Sequence, residues 1–165
     1  MSTVRRVIIS LLAMVGLLLA GAAAVPVANA EERTLNTFVV QLSAENEVPA
    51  CPAGVESGAG GVAVVQIDET TGEISYRVVT FNLPAAISGP STGAHIHVQD
   101  PTSPTGLTGP IVVHFERTGL NNGLVAEGTT TNPAVATAIL ANPANYYVNI
   151  HTTACPTGTV RGQLG

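Results

Sequence analysis

The chain has 165 residues, with six Arg, no Lys, eleven Asp plus Glu, 17 Gly and 11 Pro, and 10% of its residues are charged. That length suits one domain. A Lys-free acidic chain lacks the basic footprint that nucleic acids and anionic membrane surfaces need, and so much Gly and Pro argues against a helical bundle.

In chain order, residues 1–30 read as a secretory signal peptide. Arg5 and Arg6 form a positive start, an apolar run extends from Val7 to Ala24, and Ala28-Asn29-Ala30 is a small-x-small cleavage site before Glu31-Glu32. The rival reading is a membrane anchor, since the run approaches spanning length. The cleavage site favours removal, leaving a single domain over 31–165 and no span. That part carries four Arg against eleven acidic residues, a net charge of −7.

The exported part shows short β-rich runs punctuated by Gly, Pro, Asn and Thr. Strands are predicted over Thr37–Ser43, Gly61–Ile67, Glu73–Phe81, Gly93–Val98, Gly109–Phe115, Gly123–Gly128, Asn145–His151 and Gly158–Leu164. Asp68–Gly72 is a tight hairpin loop, and Gln99–Thr108 is a long polar loop. One helix is predicted over Ala134–Ala141, capped by Asn132, opened by Pro133 and ended by Pro143. About eight short strands with one helix near 133–141 predict an all-β antiparallel sandwich or barrel.

Alternation assigns faces. Phe38, Val40 and Leu42, Ile96 and Val98, Val148 and Ile150, and Val160 and Leu164 point inward. His95, His97, Asn149, His151, Arg161 and Gln163 then leave the core on the outer face. Gly61–Ile67 and Glu73–Phe81 are apolar on both faces, so alternation does not orient them.

Cys51 and Cys155 are the only cysteines. In an oxidising compartment they read as one disulfide, closing a loop of about 105 residues worth roughly 4–5 kcal/mol in the chain-entropy account. The alternative is a pair of soft metal ligands.

His95-x-His97 puts two imidazoles on one side of a strand, roughly 6.5–7 Å apart. His151 is the natural third ligand if its strand is a neighbour. Three imidazoles suit copper or zinc, and no carboxylate cluster suits calcium. Convergent rings would bring their nitrogens within about 4–5 Å, and binding would weaken below about pH 6.5 as protons compete. The competing account is that these histidines only tie down loops through hydrogen bonds. His114 fits an ordinary strand histidine better than a fourth ligand.

Arg161 would draw an anion toward an open position, and Asn149 supports the site. Glu47, on the loop after the first strand, is expected to fold over and pair with Arg161. Glu45 and Glu47 could form a paired-carboxylate site, but an E-x-E is far more often a solvated edge. No catalytic residue is assigned: Ser-hydrolase, Cys-nucleophile and nucleotide-binding chemistries lack support.

The segments Phe38-Val39-Val40-Gln41-Leu42-Ser43-Ala44-Glu45-Asn46-Glu47-Val48-Pro49, Gly93-Ala94-His95-Ile96-His97, Gly109-Pro110-Ile111-Val112, Tyr147–Thr153 and Gly158–Leu164 together resemble the CHRD domain, first described in chordin. Val98 after A-H-I-H and the Cys51-bearing insertion depart from the family's usual pattern. The resemblance implies a module that binds an extracellular protein, while the histidines point to a metal ion as the other partner. A more distant likeness to copper–zinc superoxide dismutases lies in the H-x-H strand, the later His151 and the G-x-x-R segment at Arg161. It implies a Greek-key fold and a copper-dependent oxidoreductase as an alternative function. The dismutase's bridging His and its zinc-site ligands have no match. A structural matrix or cell-surface protein without metal is the second alternative.

Overall fold

The computed structural model describes residues 5–8, 33–52, 58–89, 93–103, 105 and 107–165. In chain order the elements are β1 (Arg5–Ile8), β2 (Thr34–Ser43), β3 (Gly60–Asp68), β4 (Glu73–Phe81), β5 (Ala94–Val98), β6 (Ile111–His114), β7 (Gly123–Thr131), α1 (Pro133–Ala141), β8 (Tyr146–Ile150) and β9 (Val160–Gln163). A 3-10 turn over Ala44–Asn46 follows β2. The leader reading falls on residues outside those described, except for β1, which pairs antiparallel with the start of β2 from Arg5↔Thr37 to Ile8↔Thr34.

All strand pairs are antiparallel, in the order β6-β5-β8-β9-β2-β3-β4-β7. A bridge between Arg117 and Ala126 joins the chain beyond β6 to β7 and nearly closes the sheet into a barrel. Of the two architectures expected, the barrel is therefore the one formed, and the predicted strands each fall on an observed one.

The interior explains why β3 and β4 resist alternation. Ala63, Val65 and Ile67 and Ile74, Tyr76 and Val78 fill the barrel and are buried. Their outward partners include Val62, Val64, Val79 and Phe81, and Val79 and Phe81 are exposed. The outer face here carries uncovered apolar side chains beside Gln66, Ser75 and Arg77, so the apolar–polar period is broken.

The Asp68–Gly72 loop forms as expected. The Asp68 carboxylate accepts the Thr70 and Thr71 N–H groups at 2.9 Å each. Gly72 takes φ +71°, and a side chain there would run into Pro133, so this turn seats the start of α1. Asn132 caps the helix, its side chain accepting the Val135 N–H at 3.2 Å. Ala136 and Ile139 are buried against the core.

Cys51 and Cys155 form a disulfide, with Cα atoms 5.7 Å apart. Neither sulfur is then available as a thiolate ligand. The bond ties the segment after β2 to the loop before β9. Among the described residues, no helix is long and apolar enough to cross a membrane.

Candidate metal centre

Strand register assembles the site. β5 pairs with β8, setting His95 opposite Asn149 and His97 opposite Tyr147. β8 pairs with β9, setting Asn149 opposite Arg161. The side chains that alternation sends outward therefore lie together across three adjacent strands.

The outer face here is covered rather than exposed. His95, Asn149, Arg161 and Glu47 are each 4% exposed or less. Three loops reach over this face. The segment after β2 brings Glu47 onto Asn149, the β5–β6 loop brings the Gly109 carbonyl onto His97, and the β8–β9 loop brings the Pro156 carbonyl onto His151. Alternation predicts which side of a strand a residue takes, but not which loop will cover it.

His95, His97 and His151 converge. Each offers one ring nitrogen, and the three nitrogens lie within 4.8 Å of one another. His97 Nδ1 donates to the Gly109 carbonyl at 2.6 Å, and His151 Nδ1 donates to the Pro156 carbonyl at 2.9 Å. A carbonyl only accepts, so Nδ1 carries the proton and Nε2 of each neutral ring keeps its lone pair. This is the tethering that ligating histidines use to fix tautomer and orientation. Nε2 of His95 lies 2.9 Å from Nε2 of His151. Two bare lone pairs do not rest so close; either a proton or a cation lies between them. Two imidazole nitrogens on one tetrahedral ion would sit roughly 3.3 Å apart.

Burial keeps these rings neutral. It pushes His95 down to about 2, helped by the neighbouring charges of His97, His151 and His114. It also lowers His97 and His151, against the opposing pull of their carbonyl partners. Neutral imidazole is the form that binds a metal. His114 sits opposite His95 on β6 and is exposed, with ring centroids 6.4 Å apart, and it does not join the cluster.

The CHRD domain family matches residues 38–164, which is most of the chain. This chain belongs to the CHRD domain family. The domain is one of secreted or extracellular proteins. A search of curated proteins and a search of solved structures return no match.

In this CHRD domain the expected Glu47–Arg161 ion pair does not form. Glu47 Oε1 instead accepts from Asn149 Nδ2 at 3.0 Å and from the Val48 N–H at 3.3 Å. Arg161 donates to Gln163 at 3.2 Å and lies over the Tyr147 ring, 3.4 Å from its centroid. The aromatic ring under the guanidinium and the amide on the carboxylate take the places the two charges would give each other. Arg161 still acts on Glu47 through its charge, but burial outweighs it and raises the carboxyl to about 7. Gly158 packs directly on that carboxylate at φ +135°. Glu45 is exposed and accepts from the Ser43 hydroxyl, so the E-x-E residues part company at the 3-10 turn and form no carboxylate pair.

Several site groups escape a reading of motifs. Tyr147 stacks on His97 with centroids 4.8 Å apart and so lies between His97 and Arg161. Its parity with Asn149 was the available signal. The Gly109 and Pro156 carbonyls have no sequence signal, because every residue has one. One string, Gly89-Pro90-Ser91-Thr92-Gly93, does spell the G-x-S-x-G of a hydrolase elbow. It leads into strand β5, whereas that elbow turns from a strand into a helix, and residues 90–92 lie outside those described.

Proposed function

We propose that this protein is a secreted CHRD-domain binding protein whose ligand is a copper or zinc ion held by His95, His97 and His151. Export by a leader ending at Ala30 belongs to the same reading. One observation carries the metal: three neutral imidazole nitrogens within 4.8 Å, with two of the rings oriented by backbone carbonyls. Among the described residues no thiolate or carboxylate joins them, and an all-imidazole set suits copper and zinc. Arg161, Asn149 and Glu47 support the strand face beside the site.

A second reading follows from the 2.9 Å contact between His95 and His151. If His95 Nε2 carries a proton, the contact is an N–H···N bond and the cluster only holds three loops together.

Titration of dialysed protein with Zn(II) and Cu(II) against a competing chelator separates the two. Metal binding predicts one ion per chain and an affinity lowered more than tenfold in His97→Ala. His97 is the residue of choice because it is only partly buried, so its loss spares the core. Burial lowers all three imidazoles, which bears on the pH expectation. Protons should displace the metal only at a pH below the ordinary histidine value of about 6.5. Binding that ignores His97→Ala, or no stoichiometric binding, removes the metal reading.

A further inference from the structure

The disulfide and the proposed metal ligands share a loop. Cys155 immediately precedes Pro156, whose carbonyl accepts the His151 Nδ1–H at 2.9 Å. The turn that carries both is closed by three bonds: Cys155 N–H to the Thr152 carbonyl at 3.1 Å and to the Thr152 hydroxyl at 3.2 Å, and Gly158 N–H to the Cys155 carbonyl at 3.2 Å. Both sulfur-bearing residues are buried. At the other end of the bond, Cys51 lies four residues beyond Glu47. Glu47 bonds Asn149 between the site strands and packs on Gly158, the last residue of the same turn. The disulfide therefore holds this short turn at Cys155 while Glu47, four residues before Cys51, packs on its end at Gly158, and that turn supplies the acceptor that orients His151.

We infer that the Cys51–Cys155 disulfide is a positioning device for the metal centre, so that the site reaches full affinity only after oxidation. The inference rests on the three-histidine reading above. Bond closure is balanced by an external disulfide oxidant. Each thiol gives up a proton, the two sulfurs join, and two electrons reduce the oxidant to its dithiol. Without the bond, the Cys155–Pro156 segment keeps its turn hydrogen bonds and the contact of Gly158 with Glu47 but loses its covalent tie. The Pro156 carbonyl can then swing from His151, and that ring is free to exchange tautomers and rotate. An outer-sphere partner of this kind changes metal affinity by about 10–100-fold. An oxidation-dependent site would stay weak in a reducing compartment and become competent outside it.

The test uses the secreted chain and Zn(II), with affinity read against a chelating dye for the oxidised wild type, His97→Ala and the double variant Cys51→Ala/Cys155→Ala. The double variant should keep its circular dichroism and bind zinc about 10–100-fold more weakly. Nitrogen-15 spectra of His151 should show the Nδ1–H tautomer in the oxidised chain and a tautomer mixture in the variant, a change that a purely stabilising disulfide would not cause. Equal zinc affinity in the folded double variant, with His97→Ala still weakening binding, overturns this inference alone. Indifference to His97→Ala overturns both readings. Should the double variant not fold, two glycines inserted between Cys155 and Pro156 leave the bond intact but release the carbonyl. Zinc binding must weaken there too, and unchanged affinity overturns the inference.

Discussion

Glu47 is a carboxyl with little water and no ion pair. Burial raises it to about 7 from 4.5, although Asn149, the Val48 N–H and the charge of Arg161 all pull it down. A folded pKa above the unfolded one means that the native state holds the proton more tightly. The stability contributed by Glu47 is thus fully present below about pH 4.5 and is lost as pH rises through about 7. His95 works the other way. Its folded value, lowered to about 2, makes the unfolded chain the better proton binder, so its contribution is present above about pH 6.5 and fades as pH falls. Glu47→Gln separates the two. The variant should gain stability relative to wild type as pH rises from 4.5 to 8, by an amount on the order of a few kcal/mol, measured by urea unfolding across that range. Parallel pH profiles for the two proteins would show that the buried carboxyl is not the source. Glu47 was visible in the sequence as part of a motif, but its neutral state depends on Gly158 and Asn149, which reach it only through folding.

Element boundaries were legible wherever chemistry punctuates the chain. Asn132 before Pro133 and an Ala-rich run marks the start of α1, and the helix forms over Pro133–Ala141. The cap is a single neutral hydrogen bond on an exposed residue, so Asn132→Ala should cost about 1 kcal/mol in unfolding free energy. An unchanged midpoint would mean that packing of Ala136 and Ile139, not the cap, sets the helix start. Alternation was equally informative on β2, where Phe38, Val40 and Leu42 are buried and Val39 and Gln41 are exposed. On β8 it assigned the faces but not the exposure, since all five residues are buried. That strand is central, flanked by β5 and β9, with the barrel interior on one face and loops on the other. A strand covered on both faces keeps its polar residues only when partners arrive from elsewhere, as Glu47 does for Asn149.

At the scale of the whole barrel, the closure is uneven. β3 is paired along its length on both sides, by β2 and by β4. Between the β6 and β7 ends, the described contacts are the Arg117↔Ala126 bridge and the bonds from Thr118 and Gly119 N–H to the Val125 carbonyl, at 2.8 and 3.1 Å. Few cross-strand bonds and partial exposure make this seam a place where the sheet can open without global unfolding. Native-state hydrogen exchange should therefore find the Thr118 amide exchanging at least about tenfold faster than Val65 in β3. Equal protection at the two would mean that the barrel opens only as a unit. The proposed metal site lies where β8 is paired along its length with β5 and β9, while β9 meets β2 at the Ser43↔Arg161 pair, beside the disulfide. A strand paired on both sides suits a site that must hold three rings within 4.8 Å.

By itself the sequence determined the all-β class, the order and approximate limits of the strands, the single capped helix, the cysteine pair and the family. These features rest on local signals: the two-residue period, turn residues, cap chemistry, a count of two cysteines, and motif strings. It also named His95, His97 and His151 as companions, because parity puts them on one side of their strands. Only the tertiary structure decided that β5, β8 and β9 are neighbours and that loops bury their outer face. It likewise set Tyr147 and Asn149, rather than each other, against Arg161 and Glu47. Many of those outcomes depend on contacts between residues far apart in sequence, such as His95 with His151, 56 positions on, and Asn46 with Arg161, 115 positions on. No local pattern encodes them, since they arise from strand order and from backbone carbonyls that every residue carries alike.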